Sequence, residues 1–253
     1  MKIFASDFDG TLRRYDREKP YILESDLDAI ASFRAAGNLF GMCSGRAFDS
    51  ILKEQKPIPY TDFYIVTTGA VIGRVNGERK EFLYEKEIRR TYAEAIYEKY
   101  HDNEVFYVHM DGDLYRIGKL KGGESAQRFL KDFSKLPEGK IEGVSIGAGT
   151  RENAYRIVTE INEAYSEVLN GFQNNDYLDV VAKGCSKGEG INQLRSMYPD
   201  TCIAGIGDSY NDIPLLDAAD VAFTFDFAPE MVQKHADYVV HDVKEAIEIF
   251  MKL

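Results

Sequence analysis

Two aspartate-rich stretches, one serine and one lysine are the residues whose types and spacing could do chemistry. Asp7-Phe8-Asp9-Gly10-Thr11-Leu12 follows a short apolar run, Ser44-Gly45-Arg46 follows a second, and Gly207-Asp208-Ser209-Tyr210-Asn211-Asp212 follows a third. Lys187 stands before Gly188 at the opening of a helical pattern. Open α/β sheets bind ligands beyond the carboxyl ends of their strands, so these residues would meet at one sheet edge. Four carboxylates, an ammonium and a hydroxyl would share that edge. Like charges packed together resist ionisation unless a cation neutralises them. Mg²⁺ suits such hard oxygen ligands, commonly taking one or two carboxylates together with waters and a substrate phosphate. A Lys and a Ser hydroxyl beside it supply the charge and the donors that phosphoryl oxygens need. An Asp in this setting can serve as nucleophile. A second carboxyl two residues on can protonate a departing oxygen and then activate water. The pieces describe a phosphoryl-transfer site.

Competing readings are weaker. His101, His109, His235 and His241 lie in unrelated segments and show no ligand spacing. Gly205-x-Gly207 lacks the third glycine of a dinucleotide fingerprint, and the stretch 183–188 lacks the GxxxxGK[ST] spacing of a P-loop. Lys187 is preferred to Lys183 because it opens a helix. Three scattered cysteines, Cys43, Cys185 and Cys202, form neither a disulfide framework nor a zinc site, and a reducing cytoplasm is the expected setting.

The elements that must position these groups follow from periodicity. Residues 2–8, 39–43, 63–67 and 202–206 read as short buried strands, and 25–36, 47–55 and 188–197 as helices between them. Such alternation predicts a doubly wound, mostly parallel sheet covered on both faces. Near residue 70 the pattern changes. A hairpin is expected over 71–84 around Asn76-Gly77, with a type I′ turn, and a second around Asp111-Gly112-Asp113. Helices are expected over 88–100, 125–133 and 153–169, and a strand over 177–181 leads back to the first pattern. The division read from this is a core of 1–79 and 184–253 interrupted by an α+β insertion over 80–183. The 253 residues carry 31 Lys+Arg against 42 Asp+Glu, and a net charge of −11 argues against nucleic-acid partners. No run approaches the ~18 apolar residues of a membrane span, and the apolar start is too short for a signal segment. No obligate protein partner is inferred.

The four stretches together resemble the motifs of the haloacid dehalogenase-like superfamily. Asp7 to Leu12 is similar to its first motif, DxDGT[LV]. Ser44 matches the second, Lys187 the third, and Gly207 to Asp212 the GDxxND form of the fourth, all in the family's order. An α+β insertion between the second and third motifs resembles the cap of the Cof-type sugar-phosphate phosphatases. The resemblance implies that Asp7 is the nucleophile and a Mg²⁺ ligand. It implies that Asp9 is general acid and base, with its carbonyl on the metal, and that Asp208 is a ligand with Asp212 close behind it. Ser44 and Lys187 would hold phosphoryl oxygens, Gly10 would let the backbone approach the phosphate, and Arg46 and Asn211 would contact substrate. Two stretches depart from the Cof pattern: Thr68-Gly69-Ala70 stands for Asn-Gly-Ala, and Phe225-Asp226-Phe227-Ala228 for Met-Gly-Asn-Ala. The expected activity is Mg²⁺-dependent hydrolysis of a small phosphorylated metabolite, probed against a phosphomutase or a non-catalytic binding module as alternatives. Specificity is expected to reside in the insertion, with the Asp111-Gly112-Asp113 turn as a candidate contact.

Overall fold

The computed structural model describes residues 1–17, 19–118 and 128–253. The first elements are β1 (Lys2–Ser6), β2 (Arg14–Asp16), β3 (Lys19–Tyr21), α1 (Glu24–Ala35), β4 (Leu39–Cys43), α2 (Phe48–Glu54), β5 (Phe63–Val66), β6 (Val71–Asn76) and β7 (Arg79–Glu85). Then come α3 (Arg90–Tyr100), β8 (Val105–Met110), β9 (Asp113–Ile117), β10 (Phe129–Leu130), β11 (Ile141–Gly147), α4 (Arg151–Ala164), β12 (Leu169–Asn174) and β13 (Tyr177–Ala182). The chain closes with α5 (Lys187–Met197), β14 (Cys202–Ile206), α6 (Ile213–Ala218), β15 (Val221–Phe225), α7 (Glu230–Gln233), β16 (Tyr238–Val240) and α8 (Val243–Lys252).

Eight strands form one sheet in the order β16-β15-β14-β1-β4-β5-β6-β7, parallel from β16 to β5 and antiparallel beyond. The strands are apolar on both faces because both faces are covered. Phe4, Phe40, Met42, Tyr64 and Val66 enter one core with Phe33 and Phe250 of α1 and α8. Their neighbours Ile3, Ala5, Cys43, Phe63 and Ile65 enter the other, with Ile191 and Leu194 of α5. This is the period-2 alternation of a strand. The connections leaving β1 run outward on one side through β4 and on the other through β14, so the crevice for a ligand lies at the carboxyl ends of these strands.

A second sheet, β10-β9-β8-β11-β13-β12, is antiparallel apart from the β9–β10 pair. Phe106, Val108, Val144, Ile146, Leu178 and Val180 turn one face onto α3 and α4. The intervening residues Tyr107, His109, Ser145, Tyr177 and Asp179 belong to the other face, and all five line a cavity against the first sheet.

Several boundaries differ from the sequence reading. The chain leaves the first sheet after Glu85, not at residue 80, because β7 pairs along its length with β6. The pairing of Asn76 with Arg79 puts Gly77 and Glu78 in the turn, with Gly77 alone at positive φ (+64°), which is not the pattern of a type I′ turn. Of the helix expected over 125–133, residues 125–127 lie outside the described residues; Phe129–Leu130 is a strand, and Phe133–Lys135 is a 3₁₀ turn whose N-cap is Asp132. The polar stretch after Leu12 holds the small hairpin β2–β3. Among the described residues, no helix is long and apolar enough to cross a membrane.

Candidate active site

Each of the three apolar strand runs delivers its polar residue at the same edge. Asp7 follows β1, and its N–H donates to the carbonyl of Ile206 in β14, which ties the two strand ends together at 2.9 Å. Lys187 is the first residue of α5, whose N-cap Ser186 accepts from the Glu189 N–H. Its ammonium, only 2% exposed, donates to Asp7 Oδ1 at 2.6 Å and to Asp212 Oδ1 at 2.5 Å. The second Asp212 oxygen accepts from the backbone N–H groups of Asp208 and Ser209, at 3.1 and 3.0 Å. Both Asp212 oxygens are thus engaged within the protein. Asp208 Oδ1 accepts from Thr11 Oγ1 at 2.9 Å.

Oxygens of Asp7, Asp208 and Asp212 lie within 4.8 Å of one another. Burial, with the charge of Asp212, lifts the Asp7 carboxyl well above its usual range and lifts Asp208 to about 6. Burial opposes the charge on Lys187, but Asp212 and Asp7 outweigh it and hold the ammonium firmly protonated. Three carboxylates share one ammonium, so the cluster is short of positive charge, as a site for a hard cation should be.

Asp9 lies apart from this cluster. Arg46 Nε and Nη2 donate to its two oxygens at 2.5 and 2.9 Å, and Tyr15 adds a hydroxyl at 2.8 Å. Burial works against the charge, but the Arg46 bonds and charge prevail and hold the Asp9 carboxyl below the usual range. Arg46 therefore contacts a carboxylate here, where the family resemblance implies a substrate contact. Ser44 Oγ accepts the Arg46 N–H at 3.2 Å and lines the same cavity of about 570 Å³ as Asp7, Asp9, Gly10, Lys187, Asp208 and Asn211. Gly10 sits at φ +91°, and a Cβ there would lie 2.5 Å from Asp208 Oδ2, so the carboxylate itself demands glycine.

A family model described as haloacid dehalogenase-like hydrolase matches residues 4–247. The chain belongs to that family. A haloacid dehalogenase-like hydrolase from Bacteroides thetaiotaomicron superposes with a TM-score of 0.79 at 21% identity, covering 98% of this chain and 99% of its own. The sugar phosphatase BT4131, of HAD subclass IIB, gives a TM-score of 0.76 at 20% identity with both chains fully covered. A relative from Mycoplasma pneumoniae is 22% identical over 262 residues, 93% of this chain and 89% of its own.

In this haloacid dehalogenase-like hydrolase the far wall of the cavity comes from the second sheet, which sequence reasoning misses. His109 shows no ligand spacing in the sequence, yet its ring lines the cavity and bonds Thr67 and Ser145. Asp179 is hidden inside the strand Tyr177–Ala182. A charged or titratable residue inside an apolar strand is the available signal in both cases. The Asp111-Gly112-Asp113 turn, by contrast, is not among the cavity's lining residues. It docks on the first module instead: the Gly112 carbonyl accepts from Asp49 N–H, and Asp113 pairs with Lys80.

Proposed function

We propose that the chain is a Mg²⁺-dependent phosphatase that hydrolyses a small phosphorylated metabolite, a sugar phosphate by class, through a phosphoryl group carried on Asp7. The observation that carries the reading is the cluster of Asp7, Asp208 and Asp212 sharing the single ammonium of Lys187 at the wall of an open cavity. Likeness to a sugar phosphatase supports the substrate class. The oxygen donors suit Mg²⁺, which would be held by Asp7 and Asp208, with Asp212 orienting Lys187 from behind. When bound, the ion would neutralise the charge that keeps a carboxylate and a phosphate apart.

Asp7 presents the oxygen not bonded to Lys187 to phosphorus. The bond from phosphorus to the leaving oxygen breaks as the Asp7–phosphorus bond forms, and Asp9 gives that oxygen a proton. Water then attacks phosphorus and yields its proton to Asp9, and Asp7 returns as a carboxylate. Lys187 and Ser44 hold the equatorial oxygens, and Asn211 stands at the wall beside them. For Asp9 to carry a proton, Arg46 must release it; turning toward the incoming phosphoryl oxygens would let it do so. The second module, from the end of β7 to residue 183, serves as a cap that excludes bulk water and meets the leaving group. The cytoplasm is the compartment that the three free cysteines favour.

Phosphate release from para-nitrophenyl phosphate tests the reading. Chelation by EDTA is expected to abolish release and added Mg²⁺ to restore it, while Asp7→Asn is expected to lower it by about 10³-fold or more. Activity indifferent to chelation, or retained in Asp7→Asn, overturns the mechanism.

A further inference from the structure

The Asp9 carboxylate is held unevenly. Among the described residues, Oδ2 accepts only from Arg46 Nε, whereas Oδ1 accepts from Arg46 Nη2 at 2.9 Å and from the Tyr15 hydroxyl at 2.8 Å. Arg13 Nη1 stands 3.6 Å from Oδ1, too far for a hydrogen bond, and its other terminal nitrogen pairs with Glu54 at 2.8 Å. Arg46 must leave before Asp9 can carry a proton. Its departure empties Oδ2 and leaves Oδ1 bonded to Tyr15.

Tyr15 is placed to stay with Asp9 when Arg46 moves. It is the middle residue of β2, opposite Pro20 of β3. Just before this hairpin the Arg13 N–H donates to the Phe8 carbonyl at 2.8 Å, and the Arg13 carbonyl accepts the Gly10 N–H at 2.9 Å. The hairpin is therefore tied to the chain on both sides of Asp9. Arg13 also lays its guanidinium 5.5 Å from the centre of the Tyr15 ring. The next residue, Arg14, donates to the His241 carbonyl at 2.9 Å and covers Phe225 and Phe227, whose rings stack 4.8 Å apart. The Phe225-Asp226-Phe227 stretch that departs from the Cof pattern is thus a seat for the hairpin. Arg46 comes instead from the loop between β4 and α2, 37 residues along the chain from Asp9.

The two donors also differ in kind. A guanidinium favours the charged carboxylate. A phenol is a neutral donor, and it can bond the carbonyl oxygen of a carboxylic acid as well as an oxygen of the carboxylate. We propose that Tyr15 is a positioning residue that holds Oδ1 of Asp9 through both half-reactions, so that Oδ2 alone gives its proton to the leaving oxygen and alone takes one from the attacking water. The inference rests on the phosphatase reading and goes beyond it, since nothing in that reading requires a residue of the hairpin.

Tyr15→Phe removes the hydroxyl and keeps the ring against Arg13; the position is half-exposed, so the melting temperature is expected to be unchanged. The readout is kcat/KM for para-nitrophenyl phosphate and for phenyl phosphate, which reports the steps up to loss of the alcohol. Nitrophenolate leaves readily without a proton, whereas phenolate needs one. Tyr15→Phe is expected to lower kcat/KM about tenfold for phenyl phosphate and less than about twofold for the nitrophenyl ester. In rapid-mixing runs with the nitrophenyl ester, the variant is expected to release about one nitrophenolate per site and then to turn over about tenfold more slowly than the wild type, because water attack needs Asp9 whichever alcohol has left. An unchanged ratio between the two esters overturns the proposal: equal losses would make Tyr15 a support of the hairpin, and no loss would leave it without a role in the reaction. A wild type that turns over neither ester sinks the phosphatase reading, and the proposal with it, so the wild-type rates tell the two failures apart.

Discussion

At the scale of single residues, the site depends on positions where a side chain would be intolerable as much as on those that act. Gly10 is held at φ +91° with the Asp208 carboxylate packed where its Cβ would be. Gly10→Ala should therefore cost about 1–2 kcal/mol in backbone conformation alone, and should also push Asp208 away from Asp7. Thermal melts are expected to show the first effect and Mg²⁺ titration the second, as an affinity at least tenfold weaker. Unchanged Mg²⁺ affinity would mean that Asp208 is not a ligand. The family motif marks Gly10 and implies that it serves the approach of phosphate; the structure gives a different reason, which no motif carries. The same limit explains Arg46. Its place beside Ser44 is legible, but the partner that satisfies it, Asp9, lies 37 residues away. Sequence spacing shows which groups reach an edge, whereas their pairing depends on side-chain geometry.

At the scale of elements, strand ends are legible because apolar runs stop abruptly at them, as at Ser6-Asp7, Cys43-Ser44 and Ile206-Gly207-Asp208. The second sheet is harder to read because one of its faces packs on helices and the other on a polar cavity. His109 and Asp179 alternate with core residues along β8 and β13 in the period of any half-buried strand, and nothing in one strand says that the polar face meets another module rather than solvent. β11 bears the consequence of being covered on both faces. Its Glu142 is fully buried: Oε1 accepts the Gly112 N–H at 2.9 Å, and Oε2 has no partner. Burial raises its pKa from 4.5 to about 8, with Glu85 and Asp111 adding to the rise and the Gly112 bond opposing it. The folded state thus holds a proton that the unfolded chain releases near 4.5. The stability this proton confers is complete below that pH and is lost as pH rises through about 8. Glu142→Gln keeps an acceptor for Gly112 and has no charge to bury, so it should be more stable than the wild type at about pH 9, by on the order of 1–3 kcal/mol, with a smaller difference at about pH 5. Urea midpoints at the two pH values check this. Parallel pH dependence in both proteins would place the titration elsewhere.

At the scale of the whole molecule, the two modules meet by side-chain contacts from the turn between β5 and β6, and the same turn packs against the residue before Lys187. The turn after β5 holds Thr67 and Thr68 both at φ 49°, unusual for β-branched residues, and their hydroxyls reach His109 and Asp179 of the second sheet. Gly69 follows at φ +84°, and a Cβ on it would lie 2.0 Å from the carbonyl oxygen of Ser186. That carbonyl accepts the Gly190 N–H as the first bond of α5, and Lys187 is the next residue. The departure from the Cof pattern at Thr68-Gly69-Ala70 therefore keeps its glycine for a contact that no local reading reveals. Gly69→Ala must move the start of α5, and with it the ammonium between Asp7 and Asp212. The expected loss is about 2–5 kcal/mol, the sum of a left-handed alanine and an overpacked contact, together with a fall of at least about tenfold in phosphate release measured below the lowered Tm. Gly37 separates the two contributions. It sits at φ +81° with nothing within 4 Å of the place a Cβ would take, so Gly37→Ala should show the conformational part alone, about 1–2 kcal/mol, with phosphate release unchanged. Equal effects of the two substitutions on both readouts would mean that the contact of Gly69 with Ser186 does not position Lys187.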